Sequence, residues 1–181
     1  MITKVGIIKI TDATECEKKA FILAAEEFEK EINNPKFWEE LRMIYPQWLY
    51  NNNLNTAAFK RLFLSGRDKF ETKDDFHIRI NVTFYYSRKS VVGFTYPSTW
   101  FTWVNRNIFK GFDVADIAGN QAHEYLHNLA FSHPGANKQS VPYQFGYLIR
   151  DRIKKRLKLS PETKVKVKRS FWSRIKRIFK G

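Results

Sequence analysis

Residues 123–133 read His-Glu-Tyr-Leu-His-Asn-Leu-Ala-Phe-Ser-His, and this stretch holds three of the four histidines in the chain. On a helix, residues four positions apart lie on one face, so the imidazoles of His123 and His127 can converge on one ion. Glu124 follows the first histidine, where its carboxylate can reach a water bound to that ion. The spacing H-E-x-x-H is typical of zinc-dependent hydrolases and predicts a zinc-binding helix here.

A further histidine, His133, stands six residues after the second. It can reach the same ion only if the helix ends after Leu129 and the chain turns sharply near Ala130. Pro134 and Gly135 then disfavour a return to helix. We therefore predict three histidine ligands, the last of them delivered by a turn.

This run resembles the signature of the metzincin clan of zinc metallopeptidases, H-E-x-x-H-x-x-G-x-x-H. The resemblance implies Zn²⁺ as cofactor, Glu124 as general base, and three metal ligands: His123, His127 and His133. The chain departs from the pattern at two places. Ala130 replaces the turn glycine, at a cost on the order of 1 kcal/mol that zinc binding can offset. No methionine follows His133, so the methionine turn of the family is absent.

The best substitute for that turn is residues 140–143, Ser-Val-Pro-Tyr, a proline-containing turn before a predicted helix over residues 144–158. By position, the resemblance implies that Tyr143 approaches the metal and helps to stabilise the tetrahedral oxyanion. A tyrosine of the hydrophobic core is the alternative. A glutamate ligand on a downstream helix is disfavoured, because only Asp151 and Glu162 are acidic after the zinc motif and neither lies in a matching pattern.

The remaining chain predicts an α+β domain from its apolar periodicities. In chain order we expect a strand over residues 2–10, a helix over 13–33 capped by Thr11 or Asp12, short helices over 36–50 and 55–65, strands over 76–86, 90–95 and 100–108, and then the zinc helix and the last helix. Asp113 and Asp116 predict a capping box at the start of the zinc helix. The small Gly119 predicts close packing of that helix against a sheet, and His77 is expected to be an ordinary strand residue.

This order of elements is that of a metzincin-like catalytic domain. The resemblance implies a twisted mixed sheet with a long N-terminal helix, a zinc-binding active-site helix and a C-terminal helix. It also implies that an edge strand binds substrate as an added strand, for which residues 91–95 are the candidate. A plain inner strand is the alternative for this segment.

The net charge of +14 is unevenly distributed. Residues 150–181 hold fourteen Lys and Arg against two acidic residues, whereas residues 1–149 hold eighteen against sixteen. We predict a zinc metallopeptidase domain over residues 1–160, followed by a basic linker and amphipathic tail over residues 161–181. A basic amphipathic tail is typical of binding to an anionic membrane surface or an acidic partner, and nucleic acid is the weaker expectation.

The predicted function is a zinc-dependent metalloendopeptidase that cleaves a protein or peptide substrate through a zinc-bound water activated by Glu124. Two alternatives stay open: a zinc hydrolase of another amide, such as cell-wall peptide, and a non-enzymatic membrane- or polyanion-binding protein with a structural or decayed zinc site. The N-terminus predicts a strand rather than a signal peptide, and no apolar stretch reaches eighteen residues. A cytoplasmic or peripheral membrane location is therefore expected.

Overall fold

A computed structural model describes residues 2–68, 71–96 and 101–159 of the chain. This part is α+β, with a mixed four-stranded sheet and six helices. In chain order the elements are β1 Lys4–Thr11, α1 Glu15–Ile32, α2 Pro35–Ile44, α3 Thr56–Leu64, β2 His77–Tyr85, β3 Gly93–Thr95, β4 Phe101–Asn105, α4 Arg106–Phe109, α5 Val114–Asn128 and α6 Val141–Leu157. The predicted linker and tail over residues 161–181 lie outside the described residues.

The strands follow the order β1-β2-β4-β3 across the sheet. β2 pairs in parallel with both β1 and β4, and β3 pairs with β4 in antiparallel orientation. The candidate substrate strand, residues 91–95, therefore contributes β3 at one edge of this sheet and not an inner strand.

The hydrophobic core lies between one face of the sheet and the helices. Alternate residues of β2 enter it, as the period of two in the sequence predicts; these are Ile78, Ile80, Val82 and Phe84. α1 and α5 cover this face, and α6 packs against α5. In the described ranges, no helix is both long and apolar enough to cross a bilayer.

Two predicted boundaries on the N-terminal side of α5 are wrong. The cap of α1 is Thr14, since its hydroxyl and the Glu17 carboxylate form a reciprocal capping box, whereas the Thr11 hydroxyl contacts Thr83 Oγ1 at 2.7 Å. The strand predicted over residues 100–108 ends at Asn105. The side chain of Asn105 accepts a hydrogen bond from the Asn107 amide and caps α4.

Two further predictions fail around α6. The Ser-Val-Pro-Tyr segment is not a turn ahead of the helix, because α6 begins at Val141, three residues earlier than expected. Pro142 fits there, since the first helical turn needs no amide donor at that position. Gly119 packs against α6 and not against the sheet: a Cβ on Gly119 would lie 2.6 Å from the Gly146 carbonyl oxygen.

Candidate metal centre

The zinc motif lies on α5, whose start is fixed by its own side chains. Asp113 accepts a hydrogen bond from the Asp116 amide at 2.8 Å, and the Asp116 carboxylate accepts one from the Asp113 amide at 3.2 Å. This is the capping box predicted from the sequence. Lys154 of α6 pairs with both carboxylates and links the two helices at this end.

The end of α5 is a Schellman motif that turns the chain through a left-handed residue. The Phe131 amide donates to Leu126 O at 3.0 Å, and the Ala130 amide donates to His127 O at 3.1 Å. Ala130 has φ +63°, the conformation that favours glycine. The side chain of Asn52 also donates to Ala130 O, at 3.3 Å. The turn expected near Ala130 is therefore made, without the glycine.

This turn brings the three histidines together. The Nε2 atoms of His123 and His133 are 3.1 Å apart, those of His127 and His133 are 3.1 Å apart, and those of His127 and His123 are 3.3 Å apart. Zinc–nitrogen bonds of about 2.0–2.1 Å at tetrahedral angles place the ligand nitrogens about 3.3–3.4 Å apart. The three imidazoles therefore fit one zinc ion.

The rings are oriented by backbone carbonyls on their far sides. His127 donates from Nδ1 to Phe131 O at 2.8 Å, and His123 hydrogen bonds to the Pro142 backbone. Such bonds fix the tautomer and direct the Nε2 lone pair to the metal position. Burial, together with the neighbouring charges of His127 and His133, lowers the pKa of His123 to about 3. His123 is therefore neutral near pH 7, as a metal ligand must be.

The Glu124 carboxylate contacts β3 at the sheet edge. Glu124 is only 4 % exposed, and its Oε2 accepts a hydrogen bond from Thr95 Oγ1 of β3 at 2.8 Å. The Asn120 side-chain amide lies 3.5 Å from Oε1. Burial raises the pKa of Glu124 to about 7, against the opposing effect of these hydrogen bonds. A buried carboxylate with a raised pKa is able both to accept and to donate a proton near neutral pH.

Comparison with protein families, with curated proteins and with solved structures finds no match to this chain. A function is therefore inferred from the chemistry of the site itself. That chemistry consists of three convergent imidazoles and an adjacent buried carboxylate.

Tyr143 lies in the first turn of α6, and its ring covers one side of the triad. The ring centroids of Tyr143 and His123 are 4.6 Å apart, and those of Tyr143 and His133 are 4.8 Å apart. Burial, and then the charges of Tyr147 and Glu124, raise its pKa. Tyr143 therefore keeps its hydroxyl proton near neutral pH and can act as a hydrogen-bond donor.

The fourth histidine is separate from this group: His77 opens β2, and a Cβ on Gly6 of β1 would lie 2.4 Å from its ring.

Sequence reasoning missed two neighbours of Glu124. Asn120 stands four residues earlier on the same helical face, so the spacing of residues on α5 could have revealed it. Thr95 could not be found this way, because its contact with Glu124 joins residues 29 positions apart.

Proposed function

We propose that this chain is a zinc-dependent metalloendopeptidase of the metzincin type, with His123, His127 and His133 as ligands. The observation that carries the proposal is the number of ligands. Within the described residues, the group able to hold an ion consists of these three histidines. Structural zinc sites have four protein ligands, whereas catalytic sites have three and leave a position for water or substrate.

The residues around the triad divide the chemistry between them. When bound, zinc supplies a Lewis acid that polarises the scissile carbonyl and makes water a nucleophile near neutral pH. Glu124 takes a proton from the attacking water and delivers it to the leaving amine. Tyr143, beside two of the ligands, supplies a donor to the developing oxyanion.

The substrate in this proposal is an extended peptide that pairs with β3. An edge strand presents unpaired amide and carbonyl groups on its outer side, and peptides bind such edges by strand addition. β3 lies at the edge beyond β4, and Thr95 in it contacts Glu124. A peptide paired with β3 therefore runs alongside the general base, which favours cleavage within a chain.

The experiment compares zinc content and hydrolysis in matched variants. Glu124→Gln is expected to bind one zinc per chain and to lose hydrolysis of an unfolded protein substrate, because the general base is gone. Glu26→Gln, at an exposed position of α1, is the control and keeps both properties. His133→Ala is expected to lose zinc, whereas His77→Ala, outside the triad, keeps it.

The outcomes separate the competing functions. Wild-type protein that binds zinc but cleaves neither unfolded protein nor a cell-wall peptide has a structural site and is not an enzyme. Cleavage of the cell-wall peptide alone assigns a zinc amidase of another class. Full hydrolysis by Glu124→Gln rejects the assigned base, and wild-type protein without zinc rejects the metal centre.

A further inference from the structure

The Thr95 hydroxyl connects the edge strand β3 with β4 and with α5. Thr95 is paired with Thr102 of β4 in the register of the sheet, and both side chains point to the face covered by α5. The two hydroxyl oxygens are 3.0 Å apart. A hydroxyl has one proton to donate, and Thr95 donates its proton to Glu124. The proton between the two threonines is therefore donated by Thr102, which gives a directed chain from Thr102 through Thr95 to Glu124.

The edge strand also limits where the carboxylate can go. A Cβ on Gly93 would lie 3.4 Å from Glu124 Oε1, so alternate residues of β3 flank the two carboxylate oxygens. Oε2 accepts a 2.8 Å hydrogen bond from Thr95, whereas the contact of Oε1 with the Asn120 side-chain amide measures 3.5 Å. Hydrogen bonds to an ionised carboxylate are roughly twice as strong as those between neutral groups. Thr95 thus fixes one oxygen and leaves Oε1 as the one available for proton transfer.

We propose that Thr95 is a positioning residue that couples pairing of the substrate on β3 to the orientation of Glu124. This inference rests on the proposed peptidase function. A peptide that pairs along the outer edge of β3 restricts the movement of that three-residue strand. Because Thr95 belongs to the strand, the same restriction holds its hydroxyl and the carboxylate bound to it. Binding energy from the peptide is in this way used to orient the base.

The test measures kcat and KM for two peptides, one long enough to pair with β3 and one truncated around the scissile bond. Thr95→Val keeps the shape of the side chain and removes the donor. It is expected to lower kcat for the long peptide roughly 10- to 100-fold with little change in KM, as expected when a base is misplaced by about 1 Å. Thr95→Ser is expected to restore most of kcat. Thr83→Val, whose hydroxyl contacts Thr11 on β1, is the matched control and keeps wild-type kinetics.

If peptide pairing on β3 is coupled to the orientation of Glu124, a second result is expected that a purely structural role of Thr95 would not give. In wild type, kcat is higher for the long peptide than for the short one, and in Thr95→Val this ratio falls towards one. The zinc content of Thr95→Val equals that of wild type. In urea unfolding with zinc present, Thr95→Val and Glu124→Ala are expected to be non-additive, because both remove the same hydrogen bond.

The results distinguish this inference from the peptidase function itself. If Thr95→Val has the wild-type kcat and an unchanged ratio of kcat for the long peptide to kcat for the short one, the positioning role of Thr95 is overturned. The peptidase function is then unaffected. If the wild type shows no hydrolysis, the peptidase function is overturned. The urea unfolding of Thr95→Val, Glu124→Ala and the double variant then tests the Thr95–Glu124 hydrogen bond, and additive effects overturn it. If Thr95→Val does not fold, Thr102→Val is used instead, because it removes the hydroxyl that donates to Thr95. An unchanged kcat in that variant overturns the proposed series of hydrogen bonds from Thr102 through Thr95 to Glu124.

Discussion

The contact between α5 and α6 gives a sharp structural prediction at Gly146. A Cβ on Gly146 would lie 2.7 Å from the Gly119 carbonyl oxygen and 3.3 Å from the Cβ of His123. The first neighbour is backbone and the second is fixed to it, so neither can rotate away. Ordinary contact needs about 3.5 Å. Gly146→Ala must therefore displace α6 from α5 by about 0.5 Å or more.

Two contributions of opposite sign determine how much Gly146→Ala changes the free energy of unfolding. Overpacking at a close contact costs about 1–3 kcal/mol, whereas alanine in place of glycine in a helix contributes about 1 kcal/mol of stability. The net expectation is a loss of about 1 kcal/mol, or a melting temperature lower by about 2–4 °C for a domain of this size. His123 lies directly against the new methyl group. Loss of an outer-shell partner of a ligand lowers metal affinity about 10- to 100-fold, and we expect displacement of His123 to fall in the same range.

The assay combines urea unfolding with zinc titration against a competing chelator. Gly111→Ala is the control, because a Cβ there meets only the Ile108 carbonyl oxygen, at 3.5 Å. It is expected to keep both wild-type stability and wild-type zinc affinity. A Gly146→Ala protein that is more stable by about 1 kcal/mol, the helix-propensity gain alone, with unchanged zinc affinity, refutes the close helix contact and its link to the metal centre.

Three further outcomes are expected. Ala130→Gly relieves the left-handed strain and raises the unfolding free energy by up to about 1 kcal/mol in urea titrations; a destabilised variant contradicts this. Burial opposes ionisation of Glu27, but hydrogen bonds from Lys30 and Arg156 outweigh it and lower its pKa. Its ionised form therefore stabilises the fold above about pH 4.3 and ceases to do so as the pH falls through the lower folded pKa. Glu27→Gln is thus expected to flatten the acid limb of a plot of stability against pH, and an unchanged limb contradicts this. Removal of residues 162–181 is expected to weaken co-sedimentation with anionic vesicles and to leave hydrolysis of a small peptide intact; equal vesicle binding refutes a membrane role for the tail.

Local rules predicted the features that depend on local geometry. The capping box of Asp113 and Asp116 follows from side-chain chemistry within a few residues, and α5 ends at Asn128, one residue before the predicted Leu129. The spacing of His123 and His127 places both on one helical face wherever the helix lies. The turn at Ala130 follows from the need to bring His133 back to the other two histidines, and not from the propensity of alanine.

Features that depend on packing between distant segments could not be predicted from the sequence. The small Gly119 predicts a close approach of some backbone, and only the fold shows that this backbone belongs to α6 and not to the sheet. The sequence does not specify the start of α6, because Pro142 suits a turn ahead of the helix and a first helical turn equally. The bond from Thr95 to Glu124 depends on the register of β3 against β4, which no local pattern specifies.

Phe131 explains how the chain makes the left-handed turn after α5 without a glycine. Its amide closes the Schellman motif on Leu126, its carbonyl orients His127, and its ring is 2 % exposed and packs on Phe59 with ring centroids 5.5 Å apart. Burying a phenylalanine contributes about 1.5–3 kcal/mol, more than the roughly 1 kcal/mol that a non-glycine residue loses at positive φ. The strain at Ala130 is thus offset by the next residue in the chain. Phe131 also orients the ligand His127 through its carbonyl oxygen, so burial of its ring in the core supports the candidate metal centre as well.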